Sequence, residues 1–270
     1  MIGVFANRGQ FEPPTLITVF MPSNSKKRLD LLLLERGLAP DIKEAAALVM
    51  AGKVTVAQDR RSPTPGMQVR SDAQIKVAPE KRFVSRGGEK LARALDVFDV
   101  NVKNAICLDV GASTGGFTDC LLQAGASRVY AVDTGRGQLH QKLLTDDRVI
   151  NMERTNLVDG VGLAEKVDLI VADVSFTSLS AVLPTAFDQL NPNGQAVVLL
   201  KPQFEAKKSE VPRGGVVVDP NIHAAVIGRF VKWAGGSKIR IRNLVSSGIL
   251  GDKGNREFLL HLELQRASDG

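Results

Sequence analysis

The chain has little from which to build a metal centre or a disulfide framework: 270 residues include two cysteines and three histidines. Cys107 and Cys120 stand apart without metal-ligand spacing. Cys107 lies in an apolar run, which predicts an inert buried thiol and fits a reducing, cytoplasmic setting. His140, His223 and His261 are scattered and read as surface or satisfied core residues, so no metal is expected. The single tryptophan, Trp233, reads as core. No apolar run approaches the length that crosses a bilayer, so no membrane partner is expected. Internal repeats and low-complexity tracts are missing too. Residues 1–24 have no basic leader and only a short apolar run, Leu16 to Phe20, ahead of Pro22. They are expected to form a disordered extension, not a signal peptide.

What is present is globular. Hydrophobic residues make up 44% and charged residues 24%, enough for one large domain or two smaller ones. The net charge is +6, and it is not evenly spread. Residues 26–90 carry 14 Lys/Arg against 8 Asp/Glu, so the whole excess sits in this one segment. Such segregation is an electrostatic footprint for a polyanion.

That segment has its own organisation. Lys26-Lys27-Arg28-Leu29-Asp30 leads into Leu31 to Leu34 and a stop at Gly37. Pro40-Asp41 opens a second helix, Ile42 to Ala51, closed by Gly52. Short strands are expected at Val54 to Val56 and Gln74 to Val77. This α-α-β-β layout over residues 25–78 resembles the S-four RNA-binding domain, through Arg28-Leu29-Asp30, Gly37-Leu38, Ala46 with Val49, and Ala51 to Val56. It departs where such domains often place Ser-Arg, since this chain has Asp41-Ile42-Lys43. Lys27, Arg28, Lys43, Lys53 and Arg86 are the candidate RNA contacts. Residues 79–88, punctuated by Pro79 and Gly87-Gly88, read as a linker.

From Glu89 onward a helix to about Phe98 is followed by alternating strands and helices. Strands are expected near 105–110, 128–133, 149–152, 167–173, 195–201, 238–246 and 256–265, and helices near 116–124, 136–145, 178–190 and 220–234. Repeated βα units imply a parallel sheet covered on both faces. The last two strands are joined by a loop alone and should pair antiparallel.

The most informative stretch is Ile106 to Asp119. An apolar strand ends in Asp109, then in the glycine turn Gly111-Ala112-Ser113-Thr114-Gly115-Gly116, and runs into a helix. A second strand ends in Asp133, placed to accept hydrogen bonds from a ribose. The spacing is not that of a dinucleotide loop, and an acid at the loop entrance repels a pyrophosphate. It suits a cation, and S-adenosylmethionine offers a sulfonium and an ammonium. Ligands in such sheets bind beyond the carboxyl ends of the strands. Two further strands end in charge there, at Asp173 and at Lys201.

The chain from Lys26 onward resembles the TlyA group of FtsJ-like ribosomal RNA 2′-O-ribose methyltransferases, often called hemolysin A. The carrying stretches include Phe83 to Leu91, Asp109 to Thr118, Asp173 to Phe176, Lys201 to Glu205, Gly214 to Pro220 and Gly254 to Glu257. The resemblance implies a Rossmann-like methyltransferase domain over residues 89–270: a mostly parallel seven-stranded sheet with the last strand antiparallel. It implies a catalytic set of Lys90, Asp173, Lys201 and Glu257, and S-adenosylmethionine as cofactor. The cofactor contacts it implies are Asp109, Gly111, Ser113, Gly115, Phe117 and Asp133, with Asn156 by the adenine. The implied partner is ribosomal RNA or a ribosomal subunit, methylated on a cytidine ribose. Lys201 is then the base or the stabiliser of the sugar alkoxide, and Phe176 either stacks on a flipped base or packs. Two rivals stand beside this reading. One is a non-catalytic RNA-binding or ribosome-assembly factor, and the other a membrane-active hemolysin.

Overall fold

The computed structural model describes residues 25–79 and 82–265; the extension expected at 1–24 lies outside them. The chain divides into two compact units, residues 1–80 and 81–270.

In the first unit β1 (Lys26–Arg28) runs directly into α1 (Leu29–Glu35). Then come α2 (Ile42–Met50), β2 (Val54–Val56), β3 (Gln68–Arg70) and β4 (Ile75–Val77). Leu29, Leu32 and Leu33 recur at the helical interval and bury against Ala45, Val49, Val54 and Val69. Asp41 accepts a bond from the Glu44 amide at 2.8 Å and so caps α2. The acid standing in place of Ser-Arg therefore has a structural job. The expected layout lacks two elements that the structure adds: β1 pairs antiparallel with β3, while β2 pairs with β4. Three-residue strands carry no readable period, and Lys26–Arg28 is exposed throughout.

The second unit contains α3 (Arg86–Val97), β5 (Ile106–Val110), α4 (Gly116–Gln123), β6 (Arg128–Asp133), α5 (Gln141–Leu144) and β7 (Val149–Glu153). These are followed by β8 (Val167–Ala172), α6 (Leu179–Phe187), β9 (Leu190–Leu200), α7 (Pro202–Glu205), α8 (Pro220–Gly236), β10 (Ile239–Ser246) and β11 (Phe258–Leu264). One sheet has the order β10-β11-β9-β8-β5-β6-β7, with β11 antiparallel to both of its neighbours. The chain winds outward from β5 to β7, then crosses back to β8, so the carboxyl ends of β5 and β8 flank the switch point where such sheets bind ligands.

Strand alternation covers both faces. Leu108, Val110, Ile170 and Val198 pack with α6 and α8, while Cys107, Leu169, Val171 and Val197 pack with α3 and α4. Burial pushes the thiols of Cys107 and Cys120 up to about 12, which keeps them protonated. Trp233 packs on Phe230 against the core of the α6 and α8 face, and His261 stacks on Phe98 at 5.5 Å.

Two helices differ from expectation for physical reasons. Helix α3 starts at Arg86 rather than Glu89, because Gly87-Gly88 is not linker punctuation but a close-packing surface. A Cβ on Gly88 would stand 2.3 Å from the Phe83 ring, and the facing Gly116 allows Ser85 and Gly88 to approach α4. Helix α5 is only one turn long. The Glu153 carboxylate accepts from the amides of Gly137, Gln138 and Leu139, at 2.8, 2.8 and 3.3 Å, and holds that segment as a loop.

Candidate active site

Four side chains from four separate segments meet above the sheet. Lys90 comes from α3, Asp173 from the end of β8, Lys201 from the end of β9, and Glu257 precedes β11. The antiparallel register sets Phe258 opposite Leu200, so Glu257 and Lys201 follow on adjacent strands. Lys90 Nζ donates to Glu257 Oε2 at 2.6 Å, with both residues under a tenth exposed. Lys201 Nζ lies 2.6 Å from Asp173 Oδ1 and donates to Ser175 Oγ at 2.9 Å. The Lys201–Asp173 contact is an ion pair whose angles fall outside those of a hydrogen bond, since Asp173 Oδ1 has no hydrogen-bond partner.

Two cavities adjoin there. The first, of about 700 Å³, is lined by Lys90, Lys201, Glu257, Arg86, Lys253 and Phe204, among others. The second, of about 750 Å³, is lined by Val132, Asp133, Asn156, Leu157 and Val158. Gly111, Ser113, Asp173, Ser175 and Phe176 belong to both walls. The two differ in charge. The second cavity has two carboxylates, Asp133 and Asp173, and no lysine or arginine in its wall. It suits an uncharged nucleoside carrying a cationic group and disfavours a phosphate. The first cavity holds four basic side chains and suits an anionic substrate.

The glycine turn between them is sterically required. Gly111 has φ +82°, and a Cβ there would lie 2.9 Å from the Asp173 carbonyl oxygen. Only a glycine lets β5 and β8 end this close together. Asp133 accepts from the amides of Ser113 (2.8 Å) and Gly135 (2.6 Å), which fixes its carboxylate at the cavity wall. Each of its oxygens retains capacity for a further bond. Asn156 lines the same cavity and accepts from the Val158 amide at 3.3 Å. Phe117, buried in the first turn of α4, lines the first cavity.

Asp109 and Gly115 are placed differently from the other expected cofactor contacts. Neither lines either of these two cavities. Strand parity turns Asp109 to the same face as Cys107, under α4, where it is fully buried and accepts from Thr118 Oγ1 at 2.6 Å. Its second oxygen has no partner. Burial pushes its carboxyl up to about 7; the Thr118 bond opposes this and the charge of Asp173 adds to it.

The candidate RNA contacts divide likewise. Lys27 pairs with Glu35 at 2.6 Å, and Arg28 holds Asp30 through two bonds, at 2.7 and 3.1 Å. Lys43 stands exposed on α2, Lys53 is half-buried ahead of β2, and Arg86 is exposed in the first turn of α3.

Three residues near the tetrad escaped sequence reasoning. They are Ser175, which touches Lys201, Phe204, whose ring lies 5.8 Å from Lys201 Nζ, and Asn255. Asn255 is buried and ties the loop 214–217 down by accepting from the Val217 amide and donating to the Gly215 carbonyl. All three lie inside the stretches that carry the family resemblance, which was the one signal available. Phe176 is 92% exposed at φ +63° and tilts against Phe204 with ring centroids 5.1 Å apart.

The chain is similar to known proteins over most of its length. Residues 83–264 match the FtsJ-like methyltransferase family. A Bacillus subtilis protein, YqxC, provisionally named an rRNA methyltransferase, is 43% identical over 247 residues, covering 89% of this chain and 86% of the relative. The 16S/23S rRNA (cytidine-2′-O)-methyltransferase TlyA of Mycobacterium tuberculosis is 39% identical over 89% of this chain and 91% of its own length. A solved structure of a provisionally assigned hemolysin from Streptococcus thermophilus superposes with a TM-score of 0.68 at 40% identity, covering 92% of this chain and 90% of the other. With the family match spanning most of the chain and relatives alike over nearly their whole length, this chain belongs to the FtsJ-like methyltransferases.

Proposed function

We propose that the protein methylates the 2′-hydroxyl of a cytidine ribose in ribosomal RNA, using S-adenosylmethionine, and that residues 25–78 act as an RNA-binding module. The observation that carries this is the junction of two cavities of opposite character, one acidic and apolar, one basic, at Asp173 and Ser175. The names of the relatives support the substrate: those of Mycobacterium tuberculosis and Campylobacter jejuni are both named for cytidine-2′-O methylation of rRNA.

The residues present fit the cofactor. Asp133 would hold the ribose hydroxyls, Val132, Leu157 and Val158 would flank the adenine beside Asn156, and Gly111 with Ser113 would leave backbone exposed to the amino-acid end. When bound, S-adenosylmethionine supplies a methyl group already activated on a sulfonium. The protein must then supply an aligned oxygen and stabilise it as its proton passes to water. An ammonium has three hydrogens. Lys201 donates one of them to Ser175 and is paired by charge with Asp173, which leaves hydrogens to direct at the sugar oxygen. Lys90, locked to Glu257, adds a second positive charge to the wall facing the substrate backbone. Phe176, exposed at the cavity mouth, offers a face on which a base drawn out of its helix can stack.

The experiment is ribose-methylation mapping of ribosomal subunits incubated with purified protein and labelled S-adenosylmethionine. One cytidine should gain a 2′-O-methyl group, and Lys201→Ala should bind the cofactor but transfer nothing. Normal turnover by Lys201→Ala would overturn the mechanism, and unlabelled RNA with the wild-type protein would favour a non-catalytic binding factor. Among the described residues no helix is long and apolar enough to cross a membrane.

A further inference from the structure

Lys201 has two near neighbours, and they differ in kind. Asp173 Oδ1 is the closer, at 2.6 Å, but its approach is off the direction of any hydrogen bond. Ser175 Oγ, at 2.9 Å, is the one that meets hydrogen-bond geometry. The carboxylate supplies charge, which is non-directional at this range. The hydroxyl supplies direction. With one N–H fixed on Ser175, rotation about the terminal C–N bond of Lys201 is stopped, and the other two hydrogens take definite places.

Ser175 also stands where the two cavities meet and lines both. Its oxygen accepts from Lys201, so its own O–H remains available, and no acceptor for it occurs among the described residues. The other ion pair of the site lacks such a hydroxyl: Lys90 is held by Glu257 directly.

We infer that Ser175 is a positioning residue for methyl transfer: it locks the Lys201 ammonium in the rotation that directs a hydrogen at the ribose 2′-oxygen. This rests on the reaction proposed above. A serine kept merely for its turn would affect folding and leave turnover per folded molecule alone. A positioning serine acts on turnover and leaves binding nearly alone, because losing one hydroxyl removes a single atom from walls built by many residues.

The test compares wild type, Ser175→Ala and Ser175→Thr. Removing the hydroxyl should lower kcat by ~10–100-fold, the cost of losing alignment at a reacting group. The KM for ribosomal RNA and the Kd for S-adenosylmethionine should stay within about twofold. Threonine, which keeps the hydroxyl, should recover most of the loss. Wild-type kcat in Ser175→Ala would overturn the inference, as would equal loss in both variants with weakened cofactor binding. A second readout does not need turnover. The ammonium resonance of Lys201, assigned in ¹⁵N-labelled protein by its disappearance in Lys201→Ala, should exchange slowly with water in wild type and in Ser175→Thr, and rapidly in Ser175→Ala. Should the wild type methylate no RNA, the reaction proposed above fails, and this resonance still decides whether Ser175 holds Lys201. Identical exchange in all three proteins would overturn the inference by itself.

Discussion

Lys90 and Glu257 stand 167 positions apart in sequence and meet at 2.6 Å, with side chains 9% and 3% exposed. A pair so buried exacts a desolvation cost from both ions, and its attraction mainly offsets that cost. Removing one partner leaves the other charged and alone. Glu257→Ala should therefore lose ~3–5 kcal/mol of stability. The double variant Lys90→Met/Glu257→Leu should lose less than Glu257→Ala does, because no uncompensated charge remains. Urea unfolding of the three proteins measures this. A double variant that loses as much as Glu257→Ala, or more, would mean that the pair is not coupled.

Asp109 ties stability to pH. Its folded carboxyl, raised by burial to about 7, binds a proton that the unfolded chain gives up near its ordinary value of 3.8. Folding then takes up a proton between those limits. The contribution is whole below about pH 4 and is lost as pH rises through about 7, at ~1.4 kcal/mol per unit. Asp109→Asn cannot ionise. Its stability relative to wild type should rise steadily from pH 4 to pH 7 and level off above that. Denaturation midpoints across this range supply the check, and a constant difference would show that Asp109 does not titrate in the fold.

Asp109 also marks the limit of what the sequence reveals. The strands at 106–110, 128–133 and 167–172 are legible because each is a short, mostly apolar run, and the acids and the lysine at strand ends are legible because charge there is costly without a purpose. Which face of β5 the helix α4 covers is not local information, so the acid read at the loop entrance as a cofactor contact sits beneath α4 on Thr118. Gly87-Gly88 has the composition of a linker, and only the partner helix shows it to be a packing surface. The Ser175–Lys201 bond joins two strand ends across a gap of 26 residues, where no periodicity reaches. Lys90 and Glu257 were legible only through family resemblance.

Phe176 separates activity from stability. It is 92% exposed and sits at φ +63°, a conformation that costs a side chain about 1 kcal/mol or more and costs glycine nothing. Phe176→Gly relieves that strain but adds a similar amount of unfolded-chain entropy and gives up the contact with Phe204, so stability should change by no more than about 1 kcal/mol. The same change removes the stacking face, and with it ~1–3 kcal/mol of base contact, so methyl transfer should fall by about 10–100-fold. Thermal unfolding and initial rates on one preparation measure both. Unchanged rates would show that the ring is not used on the substrate.

The basic residues of the first unit should not contribute equally to RNA binding. Each lysine that neutralises a phosphate releases counterions and steepens the fall of log K with log salt by ~0.7–0.9. Lys43→Ala and Lys53→Ala should each flatten the slope by about that amount, with little change in which sequence is preferred. Arg28 differs because the Asp30 carboxylate already holds it through two bonds, and the same contact keeps the Asp30 carboxyl below its usual range. A phosphate would have to compete with that carboxylate for the same N–H groups. Arg28→Ala should therefore flatten the slope by clearly less than either lysine change. Fluorescence anisotropy with a ribosomal RNA fragment over a salt series measures all three. A full unit of slope lost in Arg28→Ala would mean that RNA displaces Asp30 and takes the guanidinium for itself.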